Sequence, residues 1–299
     1  MGPTAAGKTA VAEEVARRVG GEIVSADSMQ VYRGMDVGTA KPAPAMRLVP
    51  YHLLDVVDPG EPFSAALYQQ LARTAIEDTA RRGRVPVVCG GTGLYVRAAL
   101  DDLRFPSGQQ VSAERARLEA LAAEIGPDAL HERLAQVDPE SAALIHPNNV
   151  RRTIRALEMA GEGVSYASQT AGFAERRQFY PSVHIGLDME RERLYERIDA
   201  RVDAMLEAGL LDEVRALLAA GFREALTAQQ AIGYKELVPV IEEGAPLGEA
   251  IAAIKHASRR YAKRQLTWFR ADGRIRWIDV DNRSAEAIAD ELVRVGGLR

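Results

Sequence analysis

Cysteine is nearly absent from this chain: Cys89 is the only one among 299 residues. Disulfide cross-links and clusters of thiolate metal ligands are thereby excluded. Its apolar setting, Val85-Pro86-Val87-Val88-Cys89, marks it as a small buried residue rather than a catalytic thiol. Long apolar runs are missing too. Nothing approaches the roughly eighteen consecutive apolar residues of a membrane span, and no leader-type segment opens the chain, so it reads as soluble and cytoplasmic with no membrane partner. Internal repeats and low-complexity tracts are lacking, and so is a strong excess of either charge: the formal net charge of −4 does not by itself demand a nucleic-acid partner. With 47% hydrophobic residues, the chain is long enough for one or two domains around a sizeable core.

What is present begins at once. Gly2-Pro3-Thr4-Ala5-Ala6-Gly7-Lys8-Thr9 matches G-x-x-x-x-G-K-[ST] and runs into a helical pattern (Ala10, Val11, Val15, Ala16, Val19) that stops at Gly20-Gly21. The glycines let successive backbone N–H groups face one anion, the helix N-terminus adds its dipole, Lys8 supplies a point charge and Thr9 a hydroxyl for Mg²⁺. Such a loop normally leaves the end of a buried parallel strand, yet only Met1 precedes Gly2. The expectation is therefore a start site placed too late or a truncated chain.

Further along, Glu22–Ala26 reads as a strand ending in Asp27-Ser28-Met29-Gln30, Ser64 caps a helix running to Gly83, and Val85–Cys89 is a second buried strand ending in Gly90-Gly91-Thr92 before another helix. Strand, helix and strand in this order give a parallel sheet, which puts Asp27, Thr92 and the glycine loop on one carboxyl rim. Between Ser112 and about Gly161 only helical patterns occur, broken at Gly126-Pro127, Asp138-Pro139 and His146-Pro147. Val183–Leu187 and Ile275–Val280 read as strands again, with a mainly helical stretch from Glu190 to Phe269 between them. The fold class is thus α/β, a P-loop NTPase-like parallel sheet core with an all-helical insertion domain. Its divisions are 1–106 for the first half of the core, 107–181 for the insertion and 182–299 for the second half with a basic C-terminal helix.

Asp27 is the only acid directly following a strand near the loop, with Asp55 and Asp58 as competitors; a strand-end Asp either holds Mg²⁺ or meets an acceptor substrate, and a turn-forming Asp is the plain alternative. Arg193, Arg197 and Arg201 recur every four residues beside the stripe Leu194, Ile198, Val202 and Met205, and fit a phosphate clamp or a solvated face answered by Glu196, Asp199 and Asp203. Arg151, Arg152 and Arg155 follow a cap at His146-Pro147-Asn148-Asn149. Between Lys255 and Arg276 eight Lys/Arg face one acid, Asp272, with Tyr261, Trp268 and Phe269 interleaved. Two basic runs in an acidic chain beside a phosphate site point towards RNA.

Together these stretches resemble one family, the tRNA dimethylallyltransferases, also called tRNA isopentenyltransferases. The likeness lies in the glycine loop, Ser25–Pro42, Gly90–Tyr95, His146–Asn149 with its arginines, Ile232-Gly233-Tyr234-Lys235-Glu236 and Arg260–Arg270, and spans nearly the whole chain. The resemblance implies transfer of a dimethylallyl group from dimethylallyl diphosphate to N6 of the adenosine 3′-adjacent to the anticodon of tRNA, with Mg²⁺ and a monomeric enzyme. It also implies roles. The diphosphate is held by Gly2, Pro3, Thr4, Ala5, Ala6, Gly7, Lys8 and Thr9, and Thr9 places the metal. Asp27 acts as general base, with Thr92, Arg201 and Lys8 at the reaction centre. The tRNA anticodon stem-loop is met by Asp27, Ser28, Met29 and Gln30, by Arg151, Arg152, Thr153, Ile154 and Arg155, and by Gln230, Ala231, Ile232, Gly233, Tyr234 and Lys235. Three rivals are a free-nucleotide isopentenyltransferase, a P-loop small-molecule kinase and a non-catalytic RNA-binding module. The helical insertion and basic helix speak against the first, only the loop argues for the second, and an intact Lys8-Thr9 is unexplained by the third.

Overall fold

The computed structural model describes residues 1–105, 112–225 and 227–297. The opening loop leads into α1 (Lys8–Val19), which ends where Gly20 turns left-handed at φ 62 and closes the last turn onto Ala16. β1 (Glu22–Ser25) follows and is buried along its length. It lies between two parallel partners, β2 (Tyr51–His52) and, after α2 (Ala65–Arg81), β3 (Pro86–Cys89), in register Ile23 to Tyr51 and Ile23 to Val87. Ser64 caps α2 as its sequence predicts, its hydroxyl accepting from Leu67 N at 3.1 Å. The two-residue β2 carries too short a pattern to be read from sequence. α3 (Gly93–Leu100) leaves the end of β3.

The helical unit, Leu100–Tyr180, contains α4 (Ala113–Val137), α5 (Pro139–Leu144), α6 (Val150–Gly161) and α7 (Tyr166–Ala174). α4 is broken at Gly126 (φ 80, ψ 170) before Pro127, where the sequence signals a break. Its core joins Leu118, Leu130 and Ile154, and a second cluster joins Leu134, Ala142, Ile145 and Ala156. The buried Glu158 of α6 accepts from Arg115 at 2.6 and 3.0 Å. The 106/107 division expected from sequence lies outside the described residues.

The remaining unit, Met1–Ala99 with Pro181–Arg299, resumes in β4 (Ile185–Asp188) and continues through α8 (Arg191–Glu207), α9 (Leu210–Ala219), α10 (Val238–Glu242), α11 (Leu247–Arg270), β5 (Arg276–Asp279) and α12 (Ala285–Gly296). β4 and β5 pair in parallel as a second sheet. α1 splices the two sheets: Ala12 and Ala16 pack on Ile23, while Val11 and Val15 join Leu187, Leu194, Ile198, Ile278, Ile288 and Leu292. Among the described residues no strand leads into Gly2. Met1 alone takes that place along β4, its amino group donating to Ile185 O at 2.8 Å and its carbonyl accepting from Leu187 N at 2.9 Å.

Candidate active site

The glycine loop is bent by residues with positive φ. Ala5 (φ 63) and Gly7 (φ 84) sit in the left-handed region, a strained setting for alanine that recurs where backbone amides are turned toward a ligand. Gly2 cannot be replaced, because a Cβ there would stand 2.9 Å from Leu187 O. Lys8 Nζ donates to Pro3 O at 2.6 Å, and burial pushes its pKa down to about 8. From α8, Arg197 Nε donates to Ala5 O at 2.9 Å.

Asp27 sits just past β1 and accepts from Met29 N at 2.9 Å, so one carboxylate oxygen fixes the turn that Ser28–Gln30 makes. Thr92 Oγ1 accepts from Ser28 N at 3.0 Å and donates to Ser28 Oγ at 3.3 Å. Arg201 reaches the same region from α8, Nη2 to Thr39 O at 3.5 Å, and Gln30 Nε2 donates to that carbonyl at 3.2 Å. Burial lowers the Arg201 pKa, and the Asp27 charge opposes the shift. The competing acids are held in ion pairs, Asp58 by Arg33 at 3.1 Å and Asp55 by the buried Lys41 ammonium at 2.6 Å, although Asp55 faces the same cavity as Asp27.

Two cavities meet at these residues. The larger, about 940 Å³, is lined by Thr4, Ala5, Gly7, Lys8 and Thr9 on the loop side. The smaller, about 470 Å³, is lined by Ser28, Met29, the segment Gln230–Lys235, Arg260 and Arg264. Thr4, Asp27, Thr39, Arg201, Met205 and Tyr261 line both.

The sequence model of the IPP transferase family matches residues 30–272, and that of the isopentenyl transferases matches residues 1–48. The chain belongs to the IPP transferase family. It is 50% identical over 295 residues to the tRNA dimethylallyltransferase of Geobacillus thermodenitrificans, covering 98% of this chain and 93% of that protein. It is 52% identical over 284 residues to the tRNA dimethylallyltransferase of Desulforudis audaxviator, covering 94% and 90%. Among solved structures, the tRNA delta(2)-isopentenylpyrophosphate transferase of Staphylococcus epidermidis superposes with a TM-score of 0.72 at 41% identity, over 100% of this chain and 98% of that one. A eukaryotic dimethylallyltransferase acting on tRNA superposes with 0.78 at 28% identity, over 100% and 79%. The α/β core with a helical part is thus the architecture of tRNA prenyltransferases.

Within this IPP transferase scaffold the structure separates the residues that the sequence grouped. Of the loop, Thr4, Ala5, Gly7, Lys8 and Thr9 line the larger cavity, whereas Gly2, Pro3 and Ala6 are buried. Asp27, Ser28 and Met29 line the smaller cavity, but Gln30 faces the larger one. Thr92 lines neither and acts through Ser28. Tyr234 is buried in the wall of the smaller cavity, its hydroxyl donating to Glu213 at 2.5 Å. In α6, Arg151 and Arg152 are exposed, Arg155 is drawn to Glu158 at 3.5 Å, and Thr153 and Ile154 are buried because the amphipathic helix turns them into the unit's core.

The basic stretch 255–276 also divides. Lys255 pairs with Asp203, Arg259 with Asp199, Arg270 with Asp188 and Arg274 with Asp272; of the other four, Arg260 and Arg264 line the cavity, while the exposed Lys263 and Arg276 lie outside its lining. Asp199 and Asp203 of α8 therefore answer α11 and not their own helix, and Arg197 and Arg201 turn to the cleft. Cys89, expected to be buried, is half-buried on the larger cavity wall, and desolvation raises its thiol pKa, which keeps it protonated. Sequence reasoning missed Thr39, Glu213, Tyr261 and Gln265, whose roles arise from contacts distant in the chain; the one available signal was a Tyr and a Gln on the inward stripe of the basic helix.

Proposed function

We propose that this chain transfers the dimethylallyl group of dimethylallyl diphosphate to the exocyclic N6 of the adenosine 3′-adjacent to the anticodon in tRNA, releasing diphosphate. The observation that carries it is the sharing of Asp27 and Arg201 by two cavities, one floored by the glycine loop and one walled by basic α11. Cleavage of the allylic C–O bond builds negative charge on the departing diphosphate, which backbone N–H groups, Lys8 and Arg201 are arranged to receive. Asp27 takes a proton from the incoming amine as the C–N bond forms, which is needed because the nitrogen lone pair is delocalised into the purine. The target base has to leave its stack to reach the smaller cavity, at a cost of a few kcal/mol.

Thr9 and Asp27 both line the larger cavity, a hydroxyl and a carboxylate with room for phosphate oxygens. No cluster of three or more His, Cys, Asp or Glu forms a metal site of its own among the described residues. That sparse oxygen set fits Mg²⁺, which binds through one or two protein groups together with substrate phosphates. When bound, Mg²⁺ neutralises charge on the diphosphate. On the tRNA side the reading rests on Ser28, Met29, Gln230, Ile232 and Lys235 at the smaller cavity, and on the exposed Arg151 and Arg152. No helix among the described residues is long and apolar enough to cross a membrane, in keeping with an enzyme that meets tRNA in the cytoplasm.

The test is incubation with labelled dimethylallyl diphosphate and either tRNA or AMP, followed by nucleoside analysis. Label in N6-dimethylallyladenosine from tRNA alone is expected. Label in AMP alone would replace this reading with free-nucleotide transfer.

A further inference from the structure

Gln265 is 5% exposed and makes two hydrogen bonds that join parts of the cleft far apart in sequence. Its Oε1 accepts from Thr4 N at 2.8 Å and its Nε2 donates to Gly91 O at 2.9 Å. One turn earlier on α11, Tyr261 lines both cavities, and its hydroxyl lies close to Thr92 and Gln265. Thr92 in turn holds the Ser28 amide and hydroxyl, and Asp27 fixes the same turn through Met29. Hydrogen bonds thus run from the glycine loop to Gln265 on α11 and on to Gly91, whose chain neighbour Thr92 holds the segment that carries the base. The glycines of the β3–α3 link are part of the fit, since a Cβ on Gly91 would overlap the Gln265 amide and one on Gly90 would overlap the Ala26 carbonyl. The role of Gln265 does not follow from motif reading alone, because both its partners lie more than 160 residues away.

We propose that Gln265 and Tyr261 are positioning residues: they hold the diphosphate cradle and the Asp27–Ser28 turn in one register, so that leaving group and incoming nitrogen meet at reacting distance. This rests on the transfer reading above. An amide does what no charged or apolar side chain does at this place, accepting from one backbone N–H and donating to one backbone carbonyl in a buried site. Because a misplacement of about 1 Å between reacting groups lowers rates by about 10²-fold, the relay governs rate more than binding of tRNA.

The experiment compares wild type, Gln265→Met, Tyr261→Phe and the double variant. Single-turnover transfer to tRNA, calorimetric binding of inorganic diphosphate, tRNA affinity and thermal midpoint are measured for each. Gln265→Met is expected to slow transfer at least 30-fold and to weaken diphosphate binding several-fold. Tyr261→Phe is expected to slow transfer about 10-fold with diphosphate and tRNA affinities within twofold of wild type. The double variant should be no slower than Gln265→Met, because both side chains meet at the Gly91–Thr92 link and act on the same turn. Folded Gln265→Met or Tyr261→Phe with rates within threefold of wild type, or effects that multiply in the double variant, overturn the proposal. If Gln265→Met does not fold, Tyr261→Phe decides by the same rate criterion. Should wild type fail to modify tRNA, the transfer reading falls, and the relay stands or falls on diphosphate binding: unaltered affinity in Gln265→Met rejects it.

Discussion

At the scale of single residues, the proposed chemistry rests on Asp27 and Lys8, which line one cavity. Asp27 has one oxygen committed to Met29 N, which orients the carboxylate. Asp27→Ala should lower the single-turnover rate by about 10²–10⁴-fold with tRNA affinity nearly unchanged, and a rapid-quench measurement that finds the wild-type rate would remove it as base. Among the described residues no acidic side chain is bonded to the Lys8 ammonium, which donates to Pro3 O, and in the proposed transfer its charge meets the diphosphate. Lys8→Ala should raise KM for dimethylallyl diphosphate and weaken inorganic diphosphate binding by tenfold or more, read by calorimetry. Both residues were legible in the sequence, Lys8 from its motif and Asp27 from its place after a strand, because loop geometry and strand ends are local properties.

Among the elements, the run 27–42 shows how a loop with no regular structure is held. Glu213 of α9 accepts from Asp36 N at 3.0 Å, Val37 N at 2.7 Å, Gly38 N at 3.2 Å and the Tyr234 hydroxyl at 2.5 Å. Lys41, its side chain 3% exposed, donates to Tyr32 O, Asp36 and Asp55. This is what presents Thr39 O to Arg201 and Gln30. Glu213→Ala leaves those N–H groups and a buried hydroxyl without their acceptor and should destabilise the protein by about 1–3 kcal/mol in urea unfolding, with a larger loss of kcat than of tRNA affinity. Gly38→Ala should be of similar severity, because its Cβ would overlap the Tyr234 ring. The helices α8 and α11 were readable as amphipathic, but nothing in either sequence says that Asp199 and Asp203 answer Arg259 and Lys255 rather than their own neighbours. Ion-pair choice is settled by which helix packs against which.

For the molecule as a whole, two measurements report on charge. Glu22, buried in β1, is held by Arg82 and then His52, which lower its pKa from 4.5 to about 2. A depressed folded-state pKa stabilises above the unfolded value and loses that contribution as pH falls. Stability should therefore decline between about pH 4.5 and pH 2, and Glu22→Gln, though less stable at neutral pH, should show a shallower decline in that window by acid titration. The salt dependence of tRNA binding should come in part from exposed arginines with no acid partner among the described residues: Arg151→Ala, Arg152→Ala, Arg260→Ala and Arg264→Ala should each reduce the slope by roughly 0.7–0.9, whereas Arg270→Ala, paired with Asp188, should leave it unchanged. A flat profile for wild type would take all four out of the interface.

By itself the sequence determined the anion loop, the parallel strands, the helical insertion and the family, since each depends on short-range spacing, backbone conformation and turn chemistry. Tertiary structure alone decided which charges face the cleft, which members of a motif are buried beneath it, and that Tyr261 and Gln265 tie the loop to the base-bearing turn. Those depend on packing between segments more than 160 residues apart, where a side chain's partner is set by the fold and not by its neighbours in the chain.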